Sequence, residues 1–143
     1  MTGAALGWVA WQGLWAHGGD TPIRWVDLTE RTLAQPAHAG LRVFRAREPL
    51  VEELRSDGRS ATIPPIDFRR RTAILVSSGP RSSTAYELKI IRVVEERRRI
   101  VVMVRERTPS LAVPGAATLT FPFRLITIER SGKSVAVGWK GRP

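Results

Sequence analysis

Alternating apolar and polar residues fill most of the chain after residue 71, a pattern typical of β-strands that bury one face. Turn-forming residues separate these stretches at short intervals, as in all-β domains. The predicted strands are 22–28, 41–46, 72–78, 85–96, 99–107, 118–130 and 134–139. With about seven or eight strands, the pattern predicts a mainly β fold, an antiparallel β-sandwich or open barrel of immunoglobulin-like type.

Two of the predicted strands carry irregularities. Strand 85–96 places Tyr86 on its core face, but Ile91 and Val93 interrupt the polar face, so its centre is expected to be covered on both sides or bulged. Pro122 lies inside the apolar strand 118–130. Because proline lacks a backbone N–H, this position predicts an edge strand or a bulge.

One short helix is predicted on the flank of the β domain, within residues 47–58. Pro49 suits the first turn of a helix, and the Glu48 carboxylate is favourable near the positive N-terminal end. Asp57 and Gly58 are typical of a helix end. The apolar residues between these signals share one face, so we expect the helix to lie against the sheet.

Residues 1–22 are predicted to stand apart from a single β domain at 23–143. Their apolar stretch of about 16 residues is too short to span a bilayer, and it lacks the basic start of a signal peptide. A disordered tail or a truncated signal or anchor segment fits this composition. An interfacial helix within residues 1–16 is the other interpretation, because Trp8, Trp11 and Trp15 would share one helix face. Membrane association is expected only through that segment, if at all.

Composition narrows the classes of function. The 143 residues suit one domain, and the absence of cysteine excludes disulfides, thiolate catalysis and Cys-ligated zinc. The formal net charge is +10, and all basic residues except Lys89, Lys133 and Lys140 are arginines. An isoelectric point near 11.5 favours acidic partners without distinguishing among them.

No catalytic or metal-binding set is recognisable in the sequence. His17 lies in the N-terminal segment, and His38 lies in a loop where its sequence neighbours offer no orienting acid. The carboxylates lack the spacing of a metal site, and no phosphate-binding glycine loop occurs. We therefore expect a protein that is not an enzyme and that uses neither a cofactor nor a metal.

Two arginine triplets bracket predicted strands and should be exposed at strand ends. They are Arg69, Arg70 and Arg71, and Arg97, Arg98 and Arg99. Such charges commonly protect sheets from edge-to-edge aggregation. Binding of a polyanion, either nucleic acid or an anionic cell-surface polymer, is the alternative function that they support. Few aromatic residues accompany them, which makes a nucleic-acid groove the less favoured form of that alternative.

A long polar loop between strands 72–78 and 85–96 is the leading candidate binding site. Its residues are Gly79, Pro80, Arg81, Ser82, Ser83, Thr84 and the following Tyr86. Serine and threonine hydroxyls can bond to their own backbone and fix the shape of such a loop. The tyrosine ring is expected to enter the core and pin the end of the loop. The alternative is an ordinary connection with a purely structural role.

A proline-rich crossing between strands 99–107 and 118–130 is the secondary candidate. Its residues are Pro109, Ser110, Pro114 and Gly115.

The order of these segments resembles the PrcB C-terminal domain family, named for a lipoprotein subunit of a bacterial surface protease complex. The segments are "DFRRRTAILVSSG", "GPRSSTAYELKI", "RIVVMVRERTPS" and "LTFPFRLITI", and they cover roughly residues 66–128. The chain departs from the family pattern at Ala85, where the family usually has glycine. The resemblance implies a non-enzymatic, extracytoplasmic domain, secreted or in the cell envelope, that associates with other proteins and in one case with a protease assembly.

The working hypothesis is therefore a protein-binding or assembly module whose partner is another protein, with polyanion binding as the alternative. The loop before Tyr86 is also similar to a loop of chagasin-type cysteine protease inhibitors, so protease inhibition is a minor alternative.

Overall fold

The computed structural model describes residues 20–55 and 60–140. These residues form eight β-strands, one α-helix and a 3-10 helix at Thr29–Arg31. The strands are β1 (Thr21–Pro22), β2 (Val26–Asp27), β3 (Gly40–Phe44), β4 (Arg71–Ser77), β5 (Glu87–Glu95), β6 (Arg99–Arg107), β7 (Phe123–Glu129) and β8 (Ser134–Lys140), and the helix is α1 (Arg47–Leu54). The predictions for residues 1–19 and for the helix end at Asp57 and Gly58 lie outside the described residues.

The strands form two four-stranded sheets that share one core, with the orders β8-β6-β5-β1 and β2-β7-β4-β3. The prediction of a mainly β sandwich with one short helix is confirmed, and in the described ranges neither sheet closes into a barrel. All neighbouring strands are antiparallel except β8 and β6, which are parallel. This pair departs from the prediction because the chain crosses between the sheets after β7, so β8 starts at the same end as β6.

Strand β4 is buried on both faces, which explains its continuous apolar sequence. Ile74 and Val76 lie in the apolar cluster between the two sheets. Leu75 points the other way, into a second cluster that also contains Leu50 and Leu54 of α1. The helix therefore covers the outer face of this sheet. Within the described ranges, no helix has the length and apolarity that crossing a bilayer requires.

The structure resolves both predicted irregularities. The register between β5 and β6 shifts at Ile91, whose side chain is 39% exposed, so the bulge alternative for this strand is confirmed. The expectation for Pro122 is wrong, because β7 begins at the next residue and lies inside its sheet between β2 and β4. The Pro122 carbonyl oxygen accepts a hydrogen bond from the Ser78 N–H at 3.0 Å, and no ladder donor is needed from the proline.

The prediction of one strand at 22–28 is also wrong, because β1 and β2 are two short strands in different sheets. Ile23 and Trp25 pack against the cluster between the sheets, and the chain crosses from one sheet to the other at this point. The loose alternation of this segment reflects the burial of individual side chains and not a continuous ladder of strand hydrogen bonds.

The strand directions give the sandwich two distinct ends. Strands β4 and β6 run away from Arg71 and Arg99, and their antiparallel neighbours β7 and β5 run toward them. The connections 78–86 and 108–122 therefore lie at one end, named here the loop end. Both arginine triplets lie at the other end, named here the arginine end, where a cleft is lined by residues of both sheets.

Candidate functional site

The two loops that the sequence predicts separately lie against each other at the loop end. Arg81 and Thr120 form a reciprocal backbone bridge, each N–H donating to the other's carbonyl oxygen at 2.8 Å. The Thr84 N–H donates to the Ala116 carbonyl oxygen at 3.0 Å, and the Ala116 N–H donates to the Thr84 hydroxyl at 2.8 Å. Residues 79–86 and 109–120 thus form one continuous surface, named here the paired loops.

Ser83 and Gly115 make a close contact within the paired loops. The buried Ser83 hydroxyl donates to the Pro114 carbonyl oxygen at 2.6 Å and accepts from the Ala85 N–H at 3.0 Å. Gly115 has a φ of +72°, and a Cβ there would lie 2.5 Å from the Ala85 nitrogen. Glycine is therefore required for the close approach of the two loops. The predicted bonding of a loop hydroxyl to its own backbone occurs at Ser83. The Ser83 and Thr84 hydroxyls also bond to the crossing, which the sequence did not predict.

A salt bridge between Arg81 and Glu106 anchors the paired loops to β6. The Arg81 Nε and Nη2 atoms lie 2.8 and 2.9 Å from the two Glu106 carboxylate oxygens. The Glu106 side chain is 0% exposed and that of Arg81 is 19% exposed. The hydrogen bonds that it donates to Glu106 raise the pKa of the Arg81 guanidinium above its ordinary value. Both groups are charged, so the bridge is a charge-assisted, bidentate pair.

Glu106 was not among the predicted site residues, although the sequence contains a signal for it. Ile100, Val102 and Val104 alternate along β6 and are all buried in the core. Glu106 continues the same period of two, so its side chain is directed to the core face where a carboxylate needs a cationic partner. A glutamate on the core face near a strand end predicts a cationic partner from an adjoining loop, and Arg81 is that partner.

The expected role of Tyr86 is wrong. Its side chain is half-buried and belongs to neither apolar cluster. Tyr86 precedes the first residue of β5, so the ladder does not hold its ring over the core as it holds Leu88. The ring instead faces the guanidinium of Arg81, whose Cζ lies 5.6 Å from the ring centroid, a cation–π geometry. Arg81, rather than the phenol ring, anchors the end of the loop.

The other predicted loop residues differ in their exposure. Gly79 is buried with a φ of +82°, whereas Pro80 and Ser82 are exposed. The Pro80 carbonyl oxygen accepts a third hydrogen bond from Arg81 at 3.0 Å. In the crossing, Pro109 is half-buried at the base of the turn that follows.

A short turn in the crossing carries the most exposed apolar side chain of the described residues. The N–H groups of Ser110 and Val113 each donate to the other's carbonyl oxygen, at 3.0 and 3.2 Å. The Ser110 hydroxyl accepts a further bond from the Val113 N–H at 3.0 Å. Leu111, which lies between these two residues, is 105% exposed. Val113 itself is 52% exposed, and Leu119, further along the crossing, is 64% exposed. This apolar tip, residues 110–113, lies within the crossing predicted as the secondary candidate site, but its exposed apolar side chains were not singled out by the sequence.

Both triplets lie at the arginine end, although 26 positions separate Arg71 from Arg97 in the sequence. Arg71 is tied to β7, where its Nη2 donates to the Thr127 carbonyl oxygen at 2.8 Å. Arg99 pairs with Glu96. Arg70, Arg97 and Arg98 are exposed and form no ion pair with a described residue. Part of the triplet charge therefore has no ion-pair partner among the described residues.

Asp67 compensates one arginine of the first triplet. Its carboxylate accepts from the Arg69 backbone N–H at 3.1 Å and from the Arg69 Nε at 3.3 Å. Both bonds lower the pKa of Asp67 below its ordinary value, and the bond from the backbone N–H has the larger effect. Asp67 is therefore ionised at neutral pH and offsets the charge of Arg69.

A cleft of about 400 Å³ opens between the two sheets at the arginine end. Arg24, Arg71 and Arg130 contribute positive charge to its lining, and Glu95 and Glu129 contribute negative charge. Lys133 lies 2.9 Å from Glu95 and offsets part of that negative charge. The lining is thus mixed in charge, and Arg70, Arg97 and Arg98 lie outside it.

The structure corrects the interpretation of His38, which does have an acid beside it. The buried Glu53 carboxylate lies 3.1 Å from the His38 Nδ1 and accepts from the His38 backbone N–H at 3.0 Å. Arg42 also contacts Glu53, at 3.1 Å. With two partners and a backbone donor, the carboxylate holds the loop before β3 against α1, a structural arrangement.

Comparison with known proteins gives one match. No curated protein and no solved structure matches the chain. Residues 72–129, which run from β4 to the end of β7 and include the paired loops, match the family model described as PrcB C-terminal, which confirms the resemblance predicted from the sequence for this segment.

Proposed function

We propose that this chain is a non-enzymatic, extracytoplasmic protein-binding or assembly module that contacts another protein through the paired loops. The family match spans the strands that carry these loops and the loops themselves. The PrcB resemblance implies association with a protease complex, and we extend that expectation to this chain. The polar and apolar parts of the paired loops then have distinct roles in the contact.

The observation that carries the proposal is the apolar tip. Leu111 is fully exposed, so its side chain gives nothing to the stability of the free domain. Transfer of a leucine from water into an apolar pocket contributes about 1.5–3 kcal/mol, or roughly tenfold to 100-fold in affinity. Val113 and Leu119 extend the exposed apolar surface beside it. A partner with an apolar pocket would bury these side chains on binding.

The second support is that the tip is held in one shape before binding. The turn at Ser110 and Val113 is closed by reciprocal hydrogen bonds, and the adjoining loop is bonded to the crossing and to Glu106. A surface ordered in advance loses little conformational entropy on association. The salt bridge and the Gly115 contact would thus act on binding through preorganisation, whereas Leu111 would act by contact.

Affinity capture from a cell-envelope extract tests the proposal, with the partner then purified and its affinity measured. Leu111→Asp should lower the affinity at least about tenfold, because a carboxylate cannot enter the apolar pocket. Leu33→Asp is the matched control, since Leu33 is 71% exposed and lies outside the paired loops. Both variants should retain wild-type stability.

The Arg81→Ala and Ser83→Ala double variant tests preorganisation and should weaken the same complex while disturbing the loop. Equal affinities for wild type, Leu111→Asp and the double variant would refute the proposal. Binding by the apolar tip should also persist as salt concentration rises, since exposed ion pairs are screened but apolar contacts are not.

A further inference from the structure

We propose that the arginine end is a lipid-facing surface, which lies against the phosphate groups of an anionic bilayer. The proposal concerns the opposite end of the sandwich from the paired loops, and it does not depend on their function. Three observations carry it: arginines without ion pairs, the position at which the chain enters the domain, and the packing of the described aromatic rings near the triplets against the core.

The first observation is the unpaired charge. Arg70, Arg97 and Arg98 are exposed and have no ion pair among the described residues. At the loop end, Arg81 and Arg107 are each paired with a glutamate, whereas Arg105 has no ion pair with a described residue. A guanidinium fork matches a phosphate group in geometry and binds it through two parallel hydrogen bonds. The arginine end therefore offers unused donors for phosphates on a flat surface.

The second observation is where the N-terminal segment joins the domain. Strand β1 pairs Thr21 with Glu95 and Pro22 with Val94, directly before the triplet 97–99. Residues 1–19 contain no lysine, arginine or acidic residue, and include three of the five tryptophans. Tryptophan is enriched at the interface between membrane and water. The described chain thus enters the sandwich at the end that carries Arg97 and Arg98.

The third observation separates a bilayer from a nucleic acid. Binding of single strands uses aromatic rings on which bases stack. Among the described residues near the triplets, Trp25 and Phe68 instead pack against the two apolar clusters of the core. Flat phosphate contact without base stacking fits a headgroup layer better.

Vesicle binding by the full chain tests the proposal. The measured quantity is the ratio of partition coefficients for phosphatidylglycerol-containing vesicles and pure phosphatidylcholine vesicles, which removes any contribution of the apolar segment common to both. Each surface arginine should contribute roughly fivefold to this ratio. Replacement of Arg70, Arg97 and Arg98 together by glutamine should therefore lower the ratio on the order of 100-fold.

A matched control carries the same loss of charge on another surface. Lys89, Arg105 and Lys140 are exposed, lie in one row across β5, β6 and β8, and form no ion pair with a described residue. Their combined replacement by glutamine should leave the ratio within about threefold of wild type, because these charges lie near the loop end and far from the headgroups.

The proposal is overturned if wild type shows no preference for anionic vesicles, or if the control variant loses as much as the arginine-end variant. It is also overturned if a 20-nucleotide single strand binds through the same three arginines while vesicles do not. Failure of either kind leaves the Leu111 experiment unaffected, because the two tests use variants at opposite ends of the domain.

Discussion

The Arg81–Glu106 bridge makes the sharpest prediction of the structure. The Glu106 carboxylate is 0% exposed, and Arg81 is its only hydrogen-bond donor among the described residues. Arg81→Met keeps the apolar stem of the side chain but leaves this carboxylate buried without a partner. Breaking a buried pair in this way costs about 3–5 kcal/mol, a large share of the roughly 5–15 kcal/mol that stabilises a typical domain.

Substitution of the other partner, Glu106, should lower the free energy of unfolding by less. In Glu106→Gln, the Arg81 guanidinium is 19% exposed and can still reach water, so we expect a loss of about 1–2 kcal/mol. The double variant that combines Arg81→Met with Glu106→Gln buries only a neutral amide. Its stability loss should fall below the sum of the two single losses by at least about 2 kcal/mol, the coupling of two groups in direct contact.

Urea denaturation of the four proteins measures this coupling. With a slope of about 1.5 kcal/mol per molar urea, a loss of 3 kcal/mol shifts the midpoint by about 2 M. Hydrogen exchange adds a local measurement, because the Arg81 and Thr120 amides bond to each other across the paired loops and should exchange faster in Arg81→Met. Additive single losses, or a loss below about 1 kcal/mol for Arg81→Met, would refute the anchoring role.

Two further predictions concern stability and are checked by the same denaturation assay. Gly115→Ala should cost at least about 2 kcal/mol, because a Cβ at φ +72° would lie 2.5 Å from a backbone nitrogen. The control Gly132→Ala has open space around its new Cβ and should change stability by less than about 0.5 kcal/mol. Glu53→Gln should cost about 1–2 kcal/mol, because it removes the buried carboxylate that pairs with Arg42. The control Glu52→Gln, at an exposed position on the same helix, should be nearly neutral. Equal effects of a variant and its control, in either pair, would contradict the reasoning.

The sequence by itself determined the local elements of this protein. Strand β6 has the bounds that the alternation predicted, and β4, β5 and α1 differ from their predictions by a few residues at most at each end among the described residues. These elements follow from side-chain periodicity, which repeats every two residues in a strand and every 3.6 in a helix and needs no knowledge of distant neighbours. The same periodicity contains the core-facing position of Glu106.

Tertiary structure alone decided what these elements bring together. Arg81 and Glu106 are 25 positions apart, and the triplets meet at one end only because β4 and β6 start on the same side of the sandwich. The errors have the same origin: Tyr86 continues the strand pattern but lies before the ladder begins, and Pro122 lies just outside β7. Local pattern fixes which face of a segment is apolar, but register and sheet order are set by burial of all faces at once.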